Sequence, residues 1–239
     1  MARRCRSKDG TVLDRPTCDY AAVTVRTYKK RAGRVTATQA DALSRLWPAF
    51  GVDVGGGPLD PRDLFGRNAP LVLEIGFGMG EATAALAAAQ PETDVLAVDV
   101  HTPGHGNLLA LIERGSLSNV RVVSGDAREL LSHLLGQGSL RGIRVFFPDP
   151  WPKARHAKRR LVSRAFLSLA ASRLERGGLL HLATDVEAYA EMARRLLASA
   201  PEYEPMTEPP WRPRTKFELR AVRDGRAITD LAYRRTEDP

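Results

Sequence analysis

Leu71-Val72-Leu73-Glu74-Ile75-Gly76-Phe77-Gly78-Met79-Gly80-Glu81 is the stretch that decides the fold. Its first five residues form an apolar run of strand length, and a glycine-rich turn then opens a helical pattern over Glu81–Gln90. Working outward, the same unit recurs. Val95–Val100, Val120–Ser124, Ile143–Phe147 and Leu179–Thr184 read as further strands, with helical patterns at Asn107–Gly115, Ala127–Leu135, Arg160–Leu174 and Val186–Ala200. Repeated strand–helix units predict an α/β fold with a mostly parallel sheet and helices on both faces. Upstream, Thr38–Phe50 predicts a first helix, followed by a turn-rich link through Gly55-Gly56-Gly57-Pro58 and Asp60-Pro61. Beyond Pro201 a strand near Tyr203, a Pro-rich link and a last strand at Ile228–Tyr233 are expected.

The turn Gly76-x-Gly78-x-Gly80 lets the backbone bend sharply and approach a ligand closely. A dinucleotide site needs Gly-x-Gly-x-x-Gly, and here the third glycine comes one residue early. Glu74 also argues against a pyrophosphate, which a carboxylate repels. A cationic amino-acid moiety suits it better, so the charge pattern favours S-adenosylmethionine over NAD. Asp99 ends the second strand, where an acid either holds ribose hydroxyls or sits in water. Asp126 follows the third strand in Gly125-Asp126-Ala127-Arg128-Glu129, where it caps a helix, lies at a ligand's adenine edge, or does both. Together with Asp149, these acids end four successive predicted strands. Ligands of open α/β sheets bind at those carboxyl ends.

The second informative stretch is Phe146-Phe147-Pro148-Asp149-Pro150-Trp151-Pro152-Lys153-Ala154-Arg155-His156-Ala157-Lys158-Arg159-Arg160. One acid is locked among three prolines and a Trp, and a basic cluster follows. The prolines restrict the loop and preorganise Asp149. Trp151 either stacks on a base or packs on the domain, and Phe146 and Phe147 read as core strand residues. Lys153, Arg155, Lys158, Arg159, Arg160 and Arg164 form one basic run; Arg212, Arg214, Lys216, Arg220, Arg223 and Arg226 form another. Both suit phosphate contacts, the alternative being a solvated face.

Net charge is +8 over 239 residues, and residues 1–34 alone carry ten Lys/Arg against three acids. A basic arm on a near-neutral body is the electrostatic footprint of a phosphate-rich partner. No apolar run is long enough for a membrane helix and no signal-peptide pattern opens the chain, so the cytoplasm is expected. Cys5 and Cys18 exclude a disulfide framework, and with the five histidines they lack metal-ligand spacing, so no metal is expected.

On these residues the chain resembles the bacterial tRNA (guanine-N7)-methyltransferase family. The resemblance runs from about Val25 to Arg235. It takes in Arg31-x-Gly33-Arg34, Glu74 through Gly80, His101-Thr102-Pro103-Gly104, Pro148 through His156, Ala183-Thr184-Asp185 and Thr215-Lys216-Phe217-Glu218. It implies a Rossmann-like class I methyltransferase domain over 38–236 behind a basic arm over 1–37. It also implies S-adenosylmethionine as cofactor and guanine in the variable loop of tRNA as substrate. Glu74, Gly76, Gly78, Gly80, Asp99, Asp126 and Asp149 would bind the cofactor, with Asp149 also catalytic. Lys153, Asp185, Thr215, Lys216, Phe217 and Glu218 would bind the substrate. Asp99 departs from the family's more frequent Glu by one methylene. Without the resemblance, Asp185 reads equally as part of a helix cap at Thr184-x-x-Glu187, and Thr215–Glu218 reads as an ordinary loop. Three other readings are weighed: a small-molecule methyltransferase, an RNA-binding protein without activity, and an NAD enzyme. The oligomeric state stays open between monomer and homodimer.

Overall fold

The computed structural model describes residues 27–28, 33–54 and 57–237. The basic arm expected over 1–37 therefore lies largely outside the described residues, as do both cysteines. In chain order the elements are α1 (Ala37–Phe50), β1 (Gly51–Asp53), α2 (Pro61–Phe65), β2 (Leu71–Ile75), α3 (Glu81–Ala89), β3 (Asp94–Asp99), α4 (Thr102–Gly115), β4 (Val120–Ser124) and α5 (Ala127–Glu129). They continue with β5 (Leu140–Phe146), α6 (Arg164–Arg173), β6 (Leu174–Thr184), α7 (Glu187–Ala198), β7 (Tyr203–Pro205), α8 (Lys216–Arg223) and β8 (Thr229–Arg235).

The eight strands form one sheet in the order β1-β4-β3-β2-β5-β6-β8-β7. Pairings from β1 through β6 are parallel, and β8 runs antiparallel to both its neighbours. The sheet is mostly parallel, as expected. Strand order reverses at β2, whose neighbours β3 and β5 leave a crevice at its carboxyl end. All five residues of β2 are buried, which is why its sequence is a continuous apolar run broken only by Glu74. One sheet face packs Leu73, Leu96 and Ile143 against α6 and α7. The other packs Ala97 and Val122 against α1 and α4. Burying each large aliphatic side chain contributes roughly 1.5–3 kcal/mol.

Several boundaries differ from the sequence reading, each for a local reason. The second inter-strand helix starts at Thr102 rather than Asn107, because Pro103 fits the first turn, where no amide donor is needed. The helix expected from Arg160 starts at Arg164, where Ser163 Oγ accepts the Phe166 amide at 3.2 Å. The preceding Ala154–Arg159 is a 3₁₀ turn. Leu130–Leu134 widens into a π-helical turn instead of continuing α5. Strand β6 starts five residues early, at Leu174, and Gly177 takes a positive φ of 69° within it. Edge strand β1 and helices α2 and α8 were not anticipated. Among the described residues no helix is long and apolar enough to cross a membrane.

Candidate active site

The carboxyl ends of β2, β3, β4 and β5 open into a pocket of about 250 Å³. Glu74, Asp99, Asp126 and Asp149 all line it, with Gly76, Gly78, Thr215, Lys216 and Phe217. Thr27, Tyr28 and Glu81 are among the other lining residues, and nothing in the sequence pattern assigns a role to these three.

One side of the pocket is built from backbone. Gly76, Gly78 and Gly80 have φ of 78°, 61° and 81°, a region open to glycine at little cost. Asp99 fixes this loop, its Oδ2 accepting the Gly78 amide at 2.8 Å. Its Oδ1 accepts Val100 N at 2.6 Å and His101 N at 3.0 Å. The start of α4 presses on the loop so closely that a Cβ at Gly104 would lie 1.9 Å from Gly78 O. Asn107 Nδ2 donates to Met79 O at 2.6 Å. Burial pushes the His105 imidazole below its usual range, and its Nε2 lies 2.8 Å from Asp99 O.

Glu74 is 3% exposed, and its Oε2 has no hydrogen-bond partner. Burial raises its pKa to about 7; Arg144, its register partner on β5, opposes the rise and Asp99 adds to it. Arg144 is committed elsewhere in part, since its Nη2 donates to Gln90 Oε1 at 2.7 Å. A buried carboxylate that lines a ligand-sized pocket and keeps one oxygen unsatisfied fits a cationic ligand group. The amino-acid ammonium of S-adenosylmethionine is such a group.

The other side is built from side chains. Asp149 sits between Phe147 and Trp151, whose φ values of 54° and 42° are unusual for large residues. Arg160 turns inward and ties this loop down, donating from Nε to Pro150 O at 3.1 Å and from Nη2 to Trp151 O at 3.2 Å. Trp151 is 5% exposed and donates from Nε1 to Thr27 O at 3.0 Å. Of its two expected roles, packing is the one realised here. Phe146 is core, as expected, but Phe147 lies past the strand end and stacks on Phe217 with centroids 6.4 Å apart. Thr215 Oγ1 accepts the Glu218 amide at 3.1 Å and thereby starts α8. Lys216 pairs with Glu81, closing this wall against the start of α3.

A family model described as "Putative methyltransferase" matches residues 68–231. The chain is 50% identical to a tRNA (guanine-N(7)-)-methyltransferase of Streptomyces avermitilis over 239 residues, covering 97% of this chain and 82% of that protein. It is 48% identical to the one from Alkalilimnicola ehrlichii over 223 residues, covering 90% and 94%. The chain belongs to the tRNA (guanine-N(7)-)-methyltransferase family. Among solved structures, the 16S rRNA methyltransferase KamB superposes with a TM-score of 0.56 at 15% identity, covering 76% of this chain and 95% of that one. That likeness bears on the fold, which is of the Rossmann-like class I methyltransferase type.

The residues this family's pattern singles out do not all meet. Gly80 is buried beside the pocket, with its absent Cβ facing Leu108 at 2.7 Å. Lys153 stands exposed before the 3₁₀ turn. Asp185 pairs with Arg226, and Glu218 with Arg212 at 2.5 Å, both outside the lining. Thr184 Oγ1 accepts Val186 N at 3.2 Å, but the reciprocal Glu187 bond of a capping box is not formed. Asp126 does cap α5, accepting Arg128 N at 2.9 Å, while it also lines the pocket. The basic runs divide as well. Lys153, Arg155, Lys158 and Arg164 face solvent, whereas Arg160 and Arg212 are turned inward and hold the protein itself. The signal that would have revealed α8 is Thr215-x-x-Glu218, a helix-start pattern read as loop.

Proposed function

We propose that this chain transfers the methyl group of S-adenosylmethionine to N7 of a guanine in the variable loop of tRNA, and that it works in the cytoplasm. The observation that carries the reading is one pocket in which an unsatisfied buried Glu74 on β2 and a loop-borne Asp149 after β5 lie at the carboxyl ends of two neighbouring strands. Family membership supplies the acceptor.

S-adenosylmethionine bound there would supply an electrophilic methyl group and leave as the neutral thioether. Glu74 would hold its ammonium, and Asp99 and Asp126 its ribose and adenine edges, while Gly76 and Gly78 leave room for close approach. Guanine N7 offers an in-plane lone pair and carries no proton, so no general base is needed. The work of the protein is positioning and electrostatics. A positive charge develops on the purine as the N7–C bond forms. Asp149, held by the Arg160 contacts to its loop, supplies a fixed carboxylate against that charge. Thr215, Lys216 and Phe217 form the wall on the substrate side, with Lys153, Asp185 and Glu218 flanking it. The exposed cations of the 3₁₀ turn meet phosphates, and residues 1–37 act as a basic arm on the same RNA.

The test is incubation with the cofactor and an unmodified tRNA transcript, followed by nucleoside mass spectrometry of mapped fragments. 7-Methylguanosine from the variable loop is expected. Methyl incorporation elsewhere, or none with the cofactor bound, contradicts the reading.

A further inference from the structure

Arg212 was grouped by charge with the phosphate-binding cations, yet its side chain is 8% exposed and fully engaged inside the protein. Its Nε and Nη2 form a fork with Asp230 Oδ1 and Oδ2 at 2.7 and 2.8 Å. Its Nη1 reaches Glu218 Oε2 on α8 at 2.5 Å. The guanidinium carbon lies over two rings, 5.3 Å from the Phe146 centroid and 5.6 Å from that of Phe147. Asp230 is itself anchored from the neighbouring strand β6, where buried His181 Nε2 lies 2.8 Å from its Oδ1.

One side chain therefore ties two elements that reach the pocket, the Asp149 loop and α8, to strand β8. Asp230 on β8 is the fixed base. Phe147 is the root of the loop that carries Asp149. Glu218 lies in the first turn of α8, whose start brings Thr215, Lys216 and Phe217 to the pocket. In helix α8, Phe217, Leu219 and Val222 are about half exposed and only Ala221 is buried. Its start is held by the Arg212 bond, the Phe147–Phe217 stack and the Lys216–Glu81 pair, and its end by Arg226, which pairs with both Asp224 and Asp185.

We infer that Arg212 is a positioning residue for methyl transfer, setting the spacing between the Asp149 loop and the α8 wall without touching either reactant. The inference rests on the methyl-transfer reading above. Lysine cannot replace it, because an ammonium lacks the planar fork that engages Asp230 and Glu218 at once. A displacement of about 1 Å at a reacting pair costs on the order of 100-fold in rate.

The experiment compares Arg212→Lys with wild type, measuring kcat, KM for tRNA and cofactor affinity by calorimetry. A cycle then adds Phe217→Leu alone and combined with Arg212→Lys. Expected is a roughly 10- to 100-fold loss of kcat in Arg212→Lys, with cofactor affinity unchanged. The double variant is expected to be no slower than the slower single one, because both changes disturb one wall. Unchanged kcat in Arg212→Lys, or losses that multiply in the double variant, would overturn the inference. Hydrogen exchange over 215–223 keeps the test independent of activity. Faster exchange in α8 with β5 and β6 still protected supports the inference, and unchanged exchange overturns it. A wild type that methylates no tRNA refutes the functional reading, while the exchange result still judges Arg212.

Discussion

The two sides of the pocket reach the same end by different means. Around β2 and β3, backbone amides and glycine contacts hold the wall: three amides converge on Asp99, and Gly104 lies against Gly78. Around β5 and α8, long side chains hold it: Arg160 on the Asp149 loop, Arg212 between Asp230 and Glu218, and Lys216 on Glu81. Backbone-held walls are stiff because each bond constrains the chain itself. Side-chain-held walls can be rearranged by a partner that offers better bonds. A cofactor of fixed shape suits the first kind, and a large polyanion that must present one base suits the second.

The sharpest way to separate the sides is Asp149→Ala. It should lower kcat by at least 10²–10³-fold while tRNA binding largely survives. Single-turnover transfer rates and filter binding check this, and near-normal turnover would remove Asp149 from the chemistry.

The next largest effect concerns Glu74. With its pKa raised from 4.5 to about 7 by burial, the folded chain holds a proton there that the unfolded chain has released. Stability without cofactor should therefore fall as pH rises from about 4.5 to 7, then level off, with a total of roughly 3 kcal/mol at most. Cofactor affinity should move the opposite way over the same window, because the ammonium needs the ionised carboxylate. Glu74→Gln should abolish both slopes. Thermal melts and calorimetry from pH 4.5 to 8 measure them, and parallel slopes in wild type and variant would break the assignment.

On the stiff side, Gly104→Ala drives a methyl into Gly78 O and should cost about 1–3 kcal/mol and weaken cofactor binding. The melting temperature and the cofactor Kd report it. A fully stable variant would show that the glycine loop yields more easily than its bonding implies.

These sides also differ in how legible they were in the sequence. Gly76, Gly78 and Gly80 declared a sharp turn because the demand for positive φ falls on the residue itself. Strands β2 to β5 declared themselves because burial on both faces needs unbroken apolar runs. The four acids were placed by counting strand ends, and all four line the pocket. What stayed hidden depends on partners far apart in the chain. Nothing local to Arg212 tells that Asp230 waits 18 residues on, so it read as one more surface cation. Arg160 was misread for the same reason, its partners being carbonyls of a loop that first has to fold. Trp151 was ambiguous until Thr27 O was seen to accept its indole N–H. Helix α8 was lost among prolines and arginines, since its exposed apolar residues make no core stripe.

The smallest predicted effect lies on the adaptable side. Lys216→Gln removes a largely exposed ion pair and should change stability by less than about 1 kcal/mol. It should nevertheless flatten the dependence of log tRNA affinity on log salt by about 0.7–0.9 if Lys216 meets one phosphate. Titrations at three or more salt concentrations decide this, and an unchanged slope would confine Lys216 to its pairing with Glu81.

The most direct test of the account as a whole is transfer of a labelled methyl group to two tRNA transcripts that differ at one atom position. One carries guanine in the variable loop and the other 7-deazaguanine, which replaces the N7 lone pair with a C–H. The account predicts stoichiometric labelling of the first and none of the second, with similar binding of both. Equal labelling of the two would place the methyl on another atom and contradict the roles given to Asp149 and to the wall around it.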